Sequence, residues 1–291
     1  MSGAPYAVLE RLRAEGVHST SRIVGIASTS GSSFSDIVVM YYAGGRKVLT
    51  SLLNFFTFDN KFGATINDVS ETSHINTPLH VAMVVSGAYC SGTGVDGVLS
   101  GALSLCGAST QAYNTFGHAT ISNAETNMLG ETGTVCAWVK LIPIGRAMTL
   151  YDYGRDEIGG NQYYITFGVG GDNTIGYTYK DFDLVAGAKY LTVSSVATVA
   201  YHTWTHIAVT SNGNEIKLYM NGDRVGVKQS GANVGQWYGD ITTSGTWVRH
   251  FGVSKHSGVY SNYFSGFVDN FRLASYAMTQ EQIQQLYESN M

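Results

Sequence analysis

From residue 134 onward, apolar and polar positions alternate in short runs separated by turn residues. Residues 134–142 (TVCAWVKLI) place Val135, Ala137, Val139 and Leu141 on one side. That two-residue period marks a strand with one face toward a core. Residues 147–153, 162–169, 174–180 and 190–196 read as further strands. Residues 204–210 (WTHIAVT) end at Ser211-Asn212-Gly213-Asn214, a turn signal. Residues 215–220 (EIKLYM) run into Asn221-Gly222, the strongest short hairpin signal, and 224–228 read as the returning strand. Residues 248–254 and 264–273 complete the set. The helical period appears clearly once, over 278–287. There Thr279 is an N-cap, Gln282 its capping-box partner, and Ile283, Leu286 and Tyr287 form an apolar stripe.

The first 50 residues read differently. Residues 5–15 have the spacing of a short amphipathic helix (Tyr6, Leu9 and Leu12 on one side, Gly16 as a stop) or of a frayed terminus. A Ser/Gly-rich stretch, 19–35, surrounds the apolar residues 23–27, and 36–42 and 47–58 are strand-like. Two parts are expected: 1–50, an N-terminal arm or attachment segment, and 51–291, one all-β domain. The expected fold is a jelly-roll β-sandwich of two antiparallel sheets with a short C-terminal helix.

Composition narrows the function classes. Of 291 residues, 44% are apolar and 13% charged, against a usual charged share of about 25%, which excludes a disordered chain. The net charge of −4 provides no basic excess for nucleic acid. The 35 glycines, 3 prolines and 19 tyrosines suit strands and turns. The longest apolar run, 37–43 (IVVMYYA), falls well short of the ~18 residues of a membrane helix. The charged start, MSGAPYAVLERLRAEG, lacks a signal-peptide core, so the expectation is a chain that stays cytoplasmic where it is made, is released by assembly or lysis, or is shown in mature form. Cys90, Cys106 and Cys136 have no metal-ligand spacing and read as free buried thiols.

Several segments carry a resemblance. They are Trp204-Thr-His206-Ile-Ala-Val209, Lys217-Leu-Tyr219-Met-Asn221-Gly222 and Phe264-Ser-Gly266-Phe-Val-Asp269-Asn-Phe-Arg272-Leu, closed by the helix at 278–287. Upstream lie Gly101-Ala-Leu103-Ser-Leu105-Cys-Gly107, Thr134-Val-Cys-Ala137-Trp138-Val139, and an opening segment 52–70 containing Asp68-Val-Ser70. In this order they resemble the laminin-G-like, concanavalin A-like lectin/glucanase jelly-roll family over about residues 51–291. Trp138 and Trp204 are expected between the sheets, Gly266 at a close approach of segments, and His206 as a hydrogen-bonded structural residue.

The candidate chemistry follows partly from that resemblance. The family's glucanases carry Glu-X-Asp-X-X-Glu on one strand, and no such run occurs here; a non-enzymatic protein is expected. The nearest acidic cluster is Asp152, Asp156 and Glu157, read as a loop beside Gly154 and kept as the three candidates for the acid pair of an alternative glycoside hydrolase. The resemblance implies Ca²⁺, with Asp59, Asn60 and Asp269 as ligands. It also implies sugar contact through aromatics and polar groups in two segments read as loops: Trp237, Tyr238 and Asp240, then Tyr260, Asn262 and Tyr263. The separate arm, the low charge and the family's use in phage and viral structural proteins suggest a virion surface or decoration protein of a tailed phage. In that reading residues 1–50 bind other virion proteins, the domain contacts glycans, and the chain is a homo-oligomer. A freestanding lectin is the alternative.

Overall fold

A computed structural model describes residues 22–23, 41–42, 52–56, 65–66, 79–82, 103–105, 118–121, 130–155, 163–183, 187–241, 247–256 and 258–289. The chain divides into two compact units, Met1–Thr50 and Ser51–Met291. In the first, β1 (Arg22–Ile23) pairs antiparallel with β2 (Tyr41–Tyr42). The helix expected at 5–15 lies outside the described residues.

The second unit opens with β3 (Leu52–Phe56), β4 (Thr65–Ile66), β5 (Leu79–Ala82), β6 (Leu103–Leu105) and β7 (His118–Ile121). Longer strands follow: β8 (Gly133–Leu141), β9 (Met148–Arg155), β10 (Tyr164–Val169), β11 (Thr174–Asp183), β12 (Gly187–Thr198) and β13 (Trp204–Ser211). Then come β14 (Ile216–Met220), β15 (Asp223–Arg224), β16 (Val227–Ser230), β17 (Trp247–Phe251), β18 (Ser254–His256), β19 (Val259–Ser261) and β20 (Gly266–Ala274). Helix α1 (Gln280–Glu288) closes the unit. Among the described residues, one sheet has nine strands in the order β16-β12-β11-β10-β9-β17-β7-β5-β4. The other runs β15-β14-β13-β8-β20-β3, with β6 also on β20. All strand pairs within both sheets are antiparallel.

Alternation decides what lies between the sheets. Val135, Ala137, Val139, Ile207 and Val209 of one sheet form a single buried cluster with Ile165, Phe167, Tyr177, Tyr179, Leu191 and Val193 of the other. Because Val135, Ala137 and Val139 take the inner face of β8, Trp138 must face outward. It stacks on Tyr287 of α1 at 5.4 Å, so the helix covers it, correcting the expectation that Trp138 lies between the sheets. Thr279 caps α1 as its sequence predicts: its Oγ1 accepts from Gln282 N, and Gln282 Oε1 accepts from Thr279 N. No helix among the described residues is long and apolar enough to cross a membrane.

Two expected strands break where glycine intervenes. Residues 224–228 do not return as one strand. Val225 N donates to Leu218 O of the seven-stranded sheet, whereas Gly226 O accepts from Val196 N of the nine-stranded one. Residues 248–254 divide at Gly252, whose φ of +76° turns the chain from β17 into β18. Gly266, at φ +145°, does lie at a close approach: a Cβ there would sit 2.2 Å from Lys140 O.

Candidate functional site: the outer face of the nine-stranded sheet

Residues of β10, β11 and β12 that do not face the core face outward, and their register aligns them in rows. Thr166 pairs with Thr178, Thr178 with Thr192, and Thr192 with Ser230 of β16. Four hydroxyls therefore follow one another across four strands, spaced by the interstrand distance of ~4.8 Å. Each can both donate and accept a hydrogen bond. Thr192 Oγ1 is buried and has no hydrogen-bond partner among the described residues.

Rows of different character flank the hydroxyls. On one side Tyr164, Lys180 and Tyr190 are in register. Tyr190 is 48% exposed, more than any other Phe, Tyr or Trp among the described residues. On the other side are Gly168, Gly176, Ser194 and Lys228. The glycines keep that side low, because a side chain is absent at both positions.

The other half of the face is covered. β18 and β19 form a two-stranded hairpin that packs on β9 and β17. His256 Nε2 lies 2.7 Å from Oδ1 of the fully buried Asp152, and Lys255 N donates to Asp152 Oδ2 at 3.4 Å. Burial pushes the Asp152 carboxyl up, and the hydrogen bond and charge of His256 oppose that shift. The His256 ring also stacks on Tyr164 at 3.8 Å and 12°, making a wall where the hairpin meets the open half. Burial raises the Tyr164 hydroxyl to about 12, with Tyr190 and Asp152 adding to the shift.

The candidate sugar-binding residues separate into three environments. Trp237 (1% exposed) and Tyr238 (4%) belong to the core; Trp237 stacks on Tyr177 at 5.6 Å. Neither offers a ring face to a sugar, which corrects both expectations. Asp240 stabilises the turn they sit in, its Oδ2 accepting from Trp237 N at 2.7 Å. Tyr260 lies on strand β19, not in a loop. It is half-buried, 4.8 Å from the His118 ring and 5.9 Å from His250, with Lys255 Nζ 5.1 Å from its centroid. Tyr263 is buried beside Val253 and likewise presents no open ring. Asn262 is exposed at φ +50°, and its carbonyl accepts from Thr149 N.

The remaining candidates are also placed by their partners. Asp152 lies in β9, not in a loop, and its carboxylate is committed to the hairpin; Asp156 and Glu157 lie outside the described residues. Asp269 does not fit as a calcium ligand. It is fully buried, its Oδ1 accepts from Asn270 N at 2.7 Å, and the Arg272 charge is beside it. Asp59 and Asn60 lie outside the described residues, among which no cluster of three or more His, Cys, Asp or Glu could hold a metal. His206 is buried as expected, but neither ring nitrogen has a hydrogen-bond partner among the described residues. Burial, with the Arg272 charge nearby, lowers it to about 3. Cys136 is buried, and burial raises its thiol to about 11.

Residues 113–284 match the family model of the concanavalin A-like lectin/glucanases superfamily. The chain belongs to that superfamily. Among solved structures, it is similar to domain 4 of AbnA, a GH43 extracellular arabinanase from Geobacillus stearothermophilus, in complex with arabinotriose. There the identity is 17% and the TM-score 0.55, over 81% of this chain and 98% of that one. It is also similar to a mutant Trypanosoma rangeli sialidase displaying trans-sialidase activity, at 15% identity and TM-score 0.51, over 82% of this chain and 33% of that one. The CBM40 of Ruminococcus gnavus IT-sialidase, bound to α2,3 sialyllactose, shares 17% identity at TM-score 0.48, over 56% and 86%. These superfamily likenesses are likenesses of fold. No curated protein matches the chain.

Proposed function

We propose that this superfamily member is a non-catalytic carbohydrate-binding domain that holds a glycan across β10, β11, β12 and β16. The observation that carries this reading is the set of hydroxyls Thr166, Thr178 and Ser230, in one row with the buried hydroxyl of Thr192 and beside the exposed ring of Tyr190. Sugars need groups that donate and accept along a line, and an aromatic face against their C–H side. The arabinotriose held by a neighbour of the same fold supports the reading. The test is a glycan array followed by titration with Tyr190→Ala and Thr178→Val. Each variant should bind at least about tenfold more weakly, a loss of roughly one hydrogen bond or stacking contact. Binding unaltered by both substitutions, or no glycan bound at all, would overturn the assignment.

A second reading concerns display. Residues 1–50 act as an attachment segment that fixes oligomers of the domain to a particle, the virion surface of a tailed phage. The division of the chain into compact units at Thr50 supports it. Sedimentation of the source lysate with mass spectrometry tests it. The full chain should travel with large particles after a high-salt wash, and a chain lacking residues 1–50 should stay at the top. Recovery of the full chain as a small free species would leave the freestanding lectin.

A further inference from the structure

The hydroxyl row has one closed end and one open end. Register continues the row beyond Thr166: Asp152 of β9 pairs with Thr166, His250 of β17 with Asp152, and Thr120 of β7 with His250. Asp152 and His250 are buried, because the β18–β19 hairpin lies over them. The backbone of β18 itself passes above Asp152, since Lys255 N donates to Asp152 Oδ2. The His256 ring stands on Tyr164, one outward step from Thr166, at 3.8 Å. At the other end, β16 is the last strand of the sheet among the described residues, and Ser230 is exposed. Three interstrand steps separate Thr166 from Ser230, about 14 Å, a length that holds a few sugars and no more.

From this arrangement we infer that the site takes the end of a glycan and not an internal stretch: the terminal sugar lies over Thr166 against His256 and the hairpin, and the chain leaves past Ser230 over the sheet edge. The inference rests on the carbohydrate-binding reading above and names its substrate class, free oligosaccharides and the tips of polymers or branches. A chain continuing past Thr166 along the row would have to occupy the volume of β18. Moving the hairpin aside would break its buried hydrogen bonds to Asp152 and the Thr149 Oγ1–Ser254 Oγ pair at 2.6 Å. Lifting the glycan over the hairpin would instead give up its contacts with the hydroxyls. Selection for an end therefore comes from a steric block against the longer competitor, not from an added attraction.

The experiment is titration of the full chain with arabinan, xylan and dextran, each intact and after partial hydrolysis by an endo-acting enzyme, at equal sugar mass. Any hit on the glycan array joins the set, free and extended by further sugars at both ends. Hydrolysis should raise binding per unit mass in step with the number of new chain ends, and extension at both ends should weaken an array hit by at least about tenfold. Two substitutions then locate the end. Thr166→Val should weaken disaccharides and longer oligomers alike by about tenfold, because every ligand starts at the wall, whereas Ser230→Ala should weaken only oligomers long enough to reach the sheet edge. Binding per unit mass that is unchanged or lowered by hydrolysis would overturn this inference and leave the carbohydrate reading standing. Disaccharide binding sensitive to Ser230→Ala and not to Thr166→Val would overturn it as well, since the end would then lie at the open edge. No binding of any polymer or oligomer, with no hit on the glycan array, would overturn the carbohydrate reading itself.

Discussion

His256 Nε2 lies 2.7 Å from Oδ1 of Asp152, across 104 residues of chain, and ties the β18–β19 hairpin to the middle of the nine-stranded sheet. Removing the imidazole leaves a fully buried carboxyl without its main partner. His256→Ala should therefore cost about 3 kcal/mol. The hydrogen bond that opposes the upward shift of Asp152 disappears, so its folded value rises further above the unfolded one. The folded state then holds the proton more tightly, and stability falls as pH rises through that window. Urea melts of wild type and variant from acid to neutral pH should show the gap widening with pH. A gap that stays constant would mean the pair does not titrate with folding.

His206 sets an acid limit of its own. Its value is lowered to about 3 in the folded protein, against an ordinary value of 6.5. The unfolded chain binds the extra proton between those values, so stability present above about pH 6.5 is lost as pH falls toward 3. The slope is at most about 1.4 kcal/mol per pH unit. His206→Leu removes the titrating group and two buried nitrogens without partners among the described residues, and should flatten the acid side of the stability profile. Denaturant midpoints at pH 6, 5 and 4 give the comparison; parallel wild-type and variant curves would assign the acid lability to another group.

Core and face aromatics should behave oppositely. Trp237→Ala removes a buried ring stacked on Tyr177 and should cost about 3–5 kcal/mol. Tyr190→Ala removes an exposed ring and should leave the melting temperature within a degree or two while weakening glycan binding. Thermal melts paired with titration separate them. A Trp237→Ala protein that melts normally but no longer binds would return the site to that turn.

Gly266→Ala should destabilise by about 2–4 kcal/mol, since it combines a left-handed-region φ with a Cβ 2.2 Å from Lys140 O. Equilibrium unfolding measures the cost. A change below about 0.5 kcal/mol would mean that β8 and β20 can separate locally at little expense.

Much of the fold was legible because alternation is a local property. Residues 134–142 declare their inner face through four apolar side chains, and the observed strand, Gly133–Leu141, differs by one residue at each end. The cap of α1 was equally local, requiring only Thr279 and Gln282 three residues apart. The candidate site was not local. Its hydroxyl row joins residues of β10, β11, β12 and β16 that only register brings into line, and single threonines in strands carry no signal of their own. Trp237 and Tyr238 were misplaced for a related reason. Flanked by Gly235, Gln236 and Gly239, they have the composition of an exposed turn, yet that turn inserts its rings between the sheets. The Asp152–His256 pair illustrates the same limit, as nothing near either residue in sequence names the other.

The crossing at Val225 and Gly226 has a mechanical consequence. Consecutive residues are bonded to different sheets, Val225 to Leu218 and Gly226 to Val196, with no slack between them. A force that peels β16 from its neighbour is passed within one peptide to the β14–β15 hairpin. Opening either sheet there pulls on the bond that holds the other, so the crossing works as a suture, and the two layers are expected to come apart in one event.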